Sequence, residues 1–137
     1  MKDQCDFPAF TAYRLGDDMV HIEMKKVKEL TGADVEQIYS CHKKIGEGRK
    51  VYVLVTFAGY IPMSDDAMAQ AKKSESVNLQ GATAYVINSF AMRIGAKFFM
   101  NFHKPKYPTN IFSKKDGAIA WLKQVKEANQ KKLAELV

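Results

Sequence analysis

Residues 50–66 read KVYVLVTFAGYIPMSDD, and the rest of the architecture can be worked out from this stretch. The seven successive residues Val51–Phe57 are β-branched, aromatic or leucine. This pattern is typical of a strand buried on both faces, because a half-exposed strand would alternate with polar residues. The chain then passes Gly59 and Pro62 and reaches Ser64, where two aspartates follow, as the first turn of a helix favours. A buried strand that leads into a capped helix predicts an α/β domain.

The composition is that of one globular domain. The chain has 137 residues, of which 47% are hydrophobic and 26% charged. No run approaches the ~18 apolar residues of a membrane span, and the beginning, MKDQCD, lacks the apolar core of a signal peptide. We therefore expect a cytoplasmic domain with a core at about 11–125, while residues 1–10 and 126–137 are flexible or fray. Cys5 and Cys41 are too scattered for a disulfide framework or a zinc site, which predicts two free thiols.

The net charge of +6 is concentrated in the last third of the chain. Residues 1–92 carry 11 Lys and Arg against 12 Asp and Glu, whereas residues 93–137 carry 10 against 3. An anionic lipid surface or a nucleic acid would suit this basic excess, but Lys-rich C-terminal helices are more often solvated faces. Nucleic acid is the weakest of the partner hypotheses.

The remaining sequence predicts an antiparallel hairpin followed by strand–helix units. Strands are expected at residues 11–15, 19–24, 51–57, 82–88 and 109–112, and helices at 31–46, 64–76, 89–103 and from 113 onward. Thr31 with Asp34, and Ser113 with Asp116, have the spacing of capping boxes. The fold class is thus a single α/β domain with a mixed sheet of about five strands and about four helices. Right-handed crossovers would put the helices on one face, so a terminal segment, a displaced helix or a second copy must cover the other face.

The helix at 89–103 has more apolar surface than one domain face needs. Arg93, Lys97 and Asn101 form a narrow polar stripe, and apolar residues occupy most of the remaining surface: Phe90, Met92, Ile94, Phe98, Phe99, Met100 and Phe102. The apolar arc spans about 240°, against the ~100° that a surface helix usually shows. This indicates an internal core helix, a self-dimer or partner surface, or a contact for an apolar or lipid-like ligand. Arg93 and Lys97, with Lys104 and Lys106, would suit anionic lipid or a nucleic-acid stacking surface, or form a solvated rim.

The segment RIGAKFFMNFHKPKYPTNIFS at 93–113, followed by Ala120-Trp121-Leu122, combines with this element order to resemble the STAS-like family. This is the fold of bacterial anti-sigma-factor antagonists, and the likeness is to small stand-alone bacterial members and covers about 11–125. The resemblance implies a non-enzymatic interaction or regulatory domain. In the signalling members a serine at the start of the helix after the third strand is phosphorylated, which breaks partner binding, and Ser64 occupies that position.

Ser64 has a plainer interpretation as a helix N-cap. A phosphate at a helix N-terminus would meet free N–H groups, so the position suits a switch. However, the Asp-Ser-Ser-Gly character of the antagonists is replaced by Met63-Ser64-Asp65-Asp66, and two carboxylates would repel a phosphate. The N-cap interpretation is therefore favoured over a regulated phosphosite.

Catalytic and metal-binding patterns are not found in the sequence. His21, His42 and His103 do not share a metal-ligand spacing, and adjacent helical positions such as Cys41 and His42 point about 100° apart, so they do not form a catalytic dyad. We predict no enzyme activity, no metal and no cofactor. The first hypothesis is an interaction module, a homodimer or a partner of another protein, that works through Ser64 and the aromatic helix.

The second hypothesis is a carrier or sensor of an apolar or anionic-lipid ligand, held between the aromatic helix and the sheet. Its candidate surface residues are Arg93, Lys97, Phe98, Phe99 and Phe102. The third hypothesis is a nucleic-acid binder that uses the basic C-terminal third.

Overall fold

The computed structural model describes residues 3–74 and 80–136, apart from the side chains at positions 74, 102 and 103. Within these residues the chain forms six strands and four helices. In chain order they are β1 Gln4–Asp6, β2 Phe10–Gly16, β3 Met19–Met24, α1 Gly32–Gly46, β4 Val51–Phe57, α2 Asp65–Ser74, β5 Gln80–Val86, α3 Phe90–His103, β6 Thr109–Phe112 and α4 Lys115–Glu135.

The six strands form one sheet whose spatial order is the chain order, from β1 to β6. β1, β2 and β3 pair antiparallel, and the pairs from β3 to β6 are parallel. β4 lies between β3 and β5, and its residues from Val51 to Val55 are buried, as the apolar run predicts. The predicted α/β fold class is therefore confirmed, with one strand more than expected.

The additional strand lies in the segment that was expected to be flexible. β1 pairs with β2, and Phe10 at the start of β2 is 0% exposed, so residues before position 11 belong to the core. This pairing places the Cα atom of Cys5 6.4 Å from that of Cys41 on α1, and the two cysteines form a disulfide. The prediction of two free thiols is wrong, because sequence spacing carries no information on this strand pairing.

Helices cover both faces of the sheet. α1 and α2 pack on β3 and β4 in one apolar cluster, and Phe99 of α3 packs against the same cluster. On the other face, α4 packs on β4 and β5, where Ala118 and Leu122 contact a cluster that includes Tyr52 and Leu54. Of the three candidates for the second layer, the displaced last helix is the one observed. α4 follows β6 and leads to no further strand in the described chain, so no crossover confines it to the first face.

Two of the helix starts show how side chains set the boundaries. Thr31 and Asp34 form the expected capping box of α1, with Asp34 N to Thr31 Oγ1 at 3.3 Å and Thr31 N to Asp34 Oδ2 at 2.9 Å. The expected box at Ser113 does not form, and α4 begins after Lys114 with no side-chain cap. The hydroxyl of Ser113, the residue before Lys114, accepts a hydrogen bond from Arg93.

Candidate functional site

A cavity of about 380 Å³ lies between the sheet and helices α1, α2 and α3, which cover the same face of the sheet. This volume falls in the range of about 300–1,000 Å³ that is usual for small-molecule sites. The cavity lies where the second hypothesis placed its ligand, between the aromatic helix and the sheet.

The wall formed by the sheet follows from the alternation of side chains along each strand. β3 contributes Ile22 and Met24, β4 contributes Val53 and Val55, and β5 contributes Thr83 and Tyr85, each pair separated by two positions. α1 contributes residues at helical spacing, Val35, Ile38, Tyr39 and His42. The lining is therefore a continuous apolar surface with a few polar groups.

α3 closes the cavity with its inner face. Met92, Ala96 and Phe99 line the cavity, and within the described part of α3 no side chain is buried. The helix is thus not the engulfed core helix that was one interpretation of its apolar arc. It is a cover, apolar on the side that faces the cavity and also apolar on the side that faces solvent.

A β-bulge gives the cavity a polar corner. The pairing of β4 with β5 shifts between Val51–Gln80 and Tyr52–Ala82, so Gly81 is the extra residue and Gln80 faces the same side as Thr83. A Cβ atom at Gly81 would lie 2.6 Å from the Tyr52 ring, so only glycine fits there. The bulge therefore directs the Gln80 side chain, which is 8% exposed, into the cavity.

Gln80 and His42 pair at this corner. The Gln80 amide nitrogen Nε2 lies 3.2 Å from His42 Nδ1, and because an amide nitrogen only donates, Nδ1 is the acceptor. Within residues 3–74 and 80–136, Gln80 Oε1 has no hydrogen-bond partner. A buried acceptor without a partner costs about 1–3 kcal/mol of stability. A ligand that donates a hydrogen bond to this oxygen would recover that free energy.

Tyrosine hydroxyls add neutral polar groups to the lining. Burial, with smaller contributions from Tyr85 and Tyr39, raises the pKa of the Tyr107 hydroxyl above its usual value. Burial also raises the pKa of Tyr85. Both hydroxyls therefore stay protonated at neutral pH. The described lining residues include no Lys, Arg, Asp or Glu.

Ser64 lies where the sequence placed it, at the N-cap of α2. Its Oγ accepts a hydrogen bond from Ala67 N at 2.9 Å, and its backbone N–H bonds Leu30 O at 3.0 Å. Asp66 in the first turn accepts from Gly32 N at 3.1 Å, which joins the starts of α1 and α2. The N-cap interpretation is thus the geometry observed.

The five predicted surface residues of α3 lie in different environments. The Arg93 guanidinium bonds Ile87 O and Ser113 Oγ, and so ties α3 to the ends of β5 and β6. Lys97 is exposed on the outer side, and neither cation lines the cavity. Phe99 lines the cavity and is partly buried, and Phe98 lines it while remaining 69% exposed. The side chain of Phe102 lies outside the described part of the chain.

The polar corner was missed in the sequence, although two signals for it were present. His42 shares a helical face with Val35, Ile38 and Ile45, which is an unusual place for a polar residue unless it faces something polar. Gly81 inside a strand is a signal for a bulge. The predicted strand at 82–88 began two residues late, since β5 starts at Gln80, and thereby excluded the one residue that the bulge turns inward.

The described residues hold no group of three or more His, Cys, Asp or Glu side chains suited to a metal ion. None of the helices in this part of the chain combines the length and the hydropathy that crossing a bilayer requires.

Comparisons with known proteins identify a family and a fold. A family model described as a domain of unknown function, DUF7793, matches residues 13–126. The crystal structure of an uncharacterized protein of the DUF3478 family from Shewanella loihica PV-4, described as having a SpoIIAA-like fold, is similar with a TM-score of 0.57. The sequences are 19% identical over 83% of this chain and 92% of that one, so the likeness shows the fold alone. No curated protein matches the sequence.

Proposed function

The chain belongs to the DUF7793 family of domains of unknown function and has a SpoIIAA-like, that is STAS-like, fold, and we propose that it is a non-enzymatic binding protein for a neutral, mainly apolar molecule. The observation that carries this proposal is the cavity of about 380 Å³ with the Gln80 carboxamide oxygen as a buried acceptor in its wall. The ligand is then an apolar body with one hydroxyl or another uncharged donor.

Charge in the lining supports a neutral ligand over a carboxylate or an amine. An ionised group buried without a counter-charge is strongly disfavoured, and the described lining residues offer no acidic or basic side chain beyond the imidazole of His42. The raised pKa values of Tyr85 and Tyr107 leave neutral hydroxyls, which hold a polar group in place but do not abstract a proton at neutral pH. These features favour binding over acid–base catalysis.

The test uses the neutral fluorescent dye phenylnaphthylamine and its displacement by dodecanol. We expect the full chain to bind the dye, and Ala96→Phe, which fills the cavity from α3, to reduce binding at least tenfold. Ala91→Phe places the same side chain on the exposed side of the same helix and serves as the matched control. Equal binding by both variants, or no dye binding by the wild-type chain, would contradict the proposal.

The polar anchor is tested separately with Gln80→Met. Loss of the hydrogen bond to the alcohol should weaken displacement by dodecanol by about three- to tenfold, while affinity for the dye stays the same. If dodecanol displaces the dye equally well from both proteins, Gln80 is not the anchor.

The interaction module implied by the family resemblance is the second candidate, supported by the fold and by Ser64 at the start of α2. Phosphorylation there would have to displace the bond to Ala67 N and place the phosphate beside Asp65 and Asp66. Phosphopeptide mass spectrometry on protein from its native cells tests whether Ser64 is phosphorylated. An unmodified Ser64 under all growth conditions would exclude a phosphorylation switch.

A cytoplasmic location is also a proposal. Disulfides persist mainly in oxidising compartments, so the proposal requires the Cys5–Cys41 pair to be reduced in cells. Thiol alkylation in intact cells followed by mass spectrometry measures this directly, and an oxidised pair would contradict the location.

A further inference from the structure

The outer face of α3 is an exposed apolar stripe. Phe90, Ile94 and Phe98 follow one another at four-residue intervals and are 80%, 55% and 69% exposed. Side chains at this spacing lie on one side of a helix, one turn above the next. Three large apolar side chains together on a surface indicate a binding face more than chance exposure.

The sequence around the apolar stripe carries only positive charge. From position 76 to position 115 the sequence contains no Asp or Glu and six basic residues, which are Arg93, Lys97, Lys104, Lys106, Lys114 and Lys115. Lys97 and Lys104 are exposed, and Lys97 lies on the same outer side of α3 as the apolar stripe. Apolar side chains flanked by lysines are the combination that binds at the surface of an anionic bilayer.

The stripe is continuous with the mouth of the cavity. Phe98 belongs to both, since it lines the cavity and is mostly exposed. Tyr60, between β4 and α2, also lines the cavity and is 60% exposed, so the two rings stand at the opening. A surface that meets α3 therefore also meets the entrance to the cavity.

We propose that the outer face of α3 docks on an anionic membrane surface, with Phe90, Ile94 and Phe98 entering the interface and Lys97 and Lys104 contacting the lipid headgroups. Docking places the cavity mouth against the lipid, so that the ligand enters or leaves without crossing water. This second statement rests on the proposed function, whereas the docking itself does not.

A second copy of the chain fits this face less well. A symmetric contact through α3 would bring the same acid-free segments of two chains together and oppose their lysines. An anionic bilayer complements both the charge and the apolar stripe.

The electrostatic part is tested by co-sedimentation with phosphatidylcholine vesicles, with and without phosphatidylglycerol. We expect binding only to the vesicles with phosphatidylglycerol, weakened by salt. Lys97→Glu should reduce binding at least tenfold. Lys123→Glu, an exposed position on α4 with the same change in net charge, should have a smaller effect. Equal loss in both variants, or equal binding to both vesicle types, would overturn the proposal.

The apolar part is tested with Ile94→Ser and Phe90→Ser, compared with Leu133→Ser, which removes an exposed leucine of α4. We expect the first two variants to lose vesicle binding and the third to keep it. Size-exclusion chromatography with light scattering is run on the same proteins. If the wild-type chain is a dimer and these two substitutions dissociate it, a second copy occupies the outer face of α3. That result would overturn the proposal.

Two variants separate docking from ligand binding. Ile94→Ser should bind phenylnaphthylamine normally without vesicles and fail to sediment with them. Ala96→Phe should sediment with vesicles and fail to bind the dye. Dye binding without vesicle binding in the wild-type chain would overturn the docking proposal alone, and the reverse result would overturn the proposed function alone.

Discussion

The guanidinium of Arg93 on α3 donates a hydrogen bond to Ser113 Oγ at 2.7 Å, and the same Nη2 bonds Ile87 O at 3.1 Å. The serine expected to cap α4 therefore holds α3 instead. Together the two bonds tie α3, which covers the cavity and has no fully buried side chain in its described part, to the ends of β5 and β6.

Replacing Arg93 by leucine should loosen α3. Hydrogen bonds from a charged donor contribute about 1.5–3 kcal/mol, so hydrogen exchange should become faster in α3 while that of β4 changes little. Lys97→Leu is the matched control, because it removes a cation from the exposed side of α3 and leaves both bonds in place. Hydrogen-exchange mass spectrometry measures the effect, and equal exchange in the two variants would show that Arg93 is not the attachment.

Ser64→Ala should destabilise the chain by about 1 kcal/mol, because Ala67 N loses its cap. Ser64→Asp should keep most of the stability, since aspartate also caps helices well. Ser40→Ala, at an exposed position within α1, is the control and should cost nothing. Chemical denaturation gives the three free energies of unfolding, and a harmless Ser64→Ala would argue against the capping role.

Gly32→Ala should destabilise the junction of α1 and α2. A Cβ atom at this position would lie 2.2 Å from Asp66 Oδ2, the oxygen that accepts the hydrogen bond of Gly32 N. Loss of that bond to a carboxylate should cost about 1–3 kcal/mol. Gly95→Ala on α3, where a Cβ atom meets nothing within 4 Å, should instead stabilise the helix by about 0.5–1 kcal/mol. Thermal unfolding distinguishes the two, and a shift of the same sign in both would contradict the close approach.

Stability should fall as the pH drops below about 6.5, and His21 should be one cause. Burial lowers the pKa of His21, and so does nearby Lys115, while Glu23 acts in the opposite direction. Tyr13, whose pKa burial and Glu23 raise to about 12, lies 2.5 Å from His21 Nδ1 and stays a neutral hydroxyl in this range. The folded chain therefore binds fewer protons than the unfolded chain, and acid favours unfolding.

The measurement is urea denaturation from pH 7 to pH 5. His21 should contribute up to ~1.4 kcal/mol per pH unit below its unfolded pKa. His21→Asn removes the titrating group and should flatten the pH dependence. Identical slopes for the wild-type chain and this variant would exclude His21 as the cause.

Reduction of the Cys5–Cys41 disulfide should destabilise the chain by about 3–4 kcal/mol, because the bond closes a loop across a sequence separation of 36 residues. The double variant with serine at both positions should show the same stability as the reduced wild-type chain. It should not respond to a reducing agent. A response of the double variant to the reducing agent would show that the effect comes from another source.

The parts of the fold that depend on local pattern could be predicted from the sequence. β4 has the predicted bounds, because a run of seven apolar residues has few alternatives to a buried strand. α3 starts after Ser89, which accepts a hydrogen bond from Met92 N, as a helix start requires. A cavity lies between α3 and the sheet, where the excess apolar surface of that helix led us to expect a ligand, and the ligand itself stays a prediction.

The features that were missed depend on contacts between distant residues. β1 is three residues long, and its sequence, Gln-Cys-Asp, has no strand pattern without its partner β2. The disulfide follows from that pairing. Ser113 has the sequence of a cap, and only the approach of Arg93 from another helix gives its hydroxyl a different partner.

The identity of spatial and sequential order in the sheet has a consequence for biosynthesis. Each strand pairs with the one made just before it, although the parallel pairs still join residues well apart in sequence, such as Met19 with Tyr52 and Thr83 with Thr109. The nascent polypeptide can thus add one strand at a time as it leaves the ribosome. Of the elements described, α4 is made after all six strands, so the apolar face of β4 and β5 that it covers stays exposed until then.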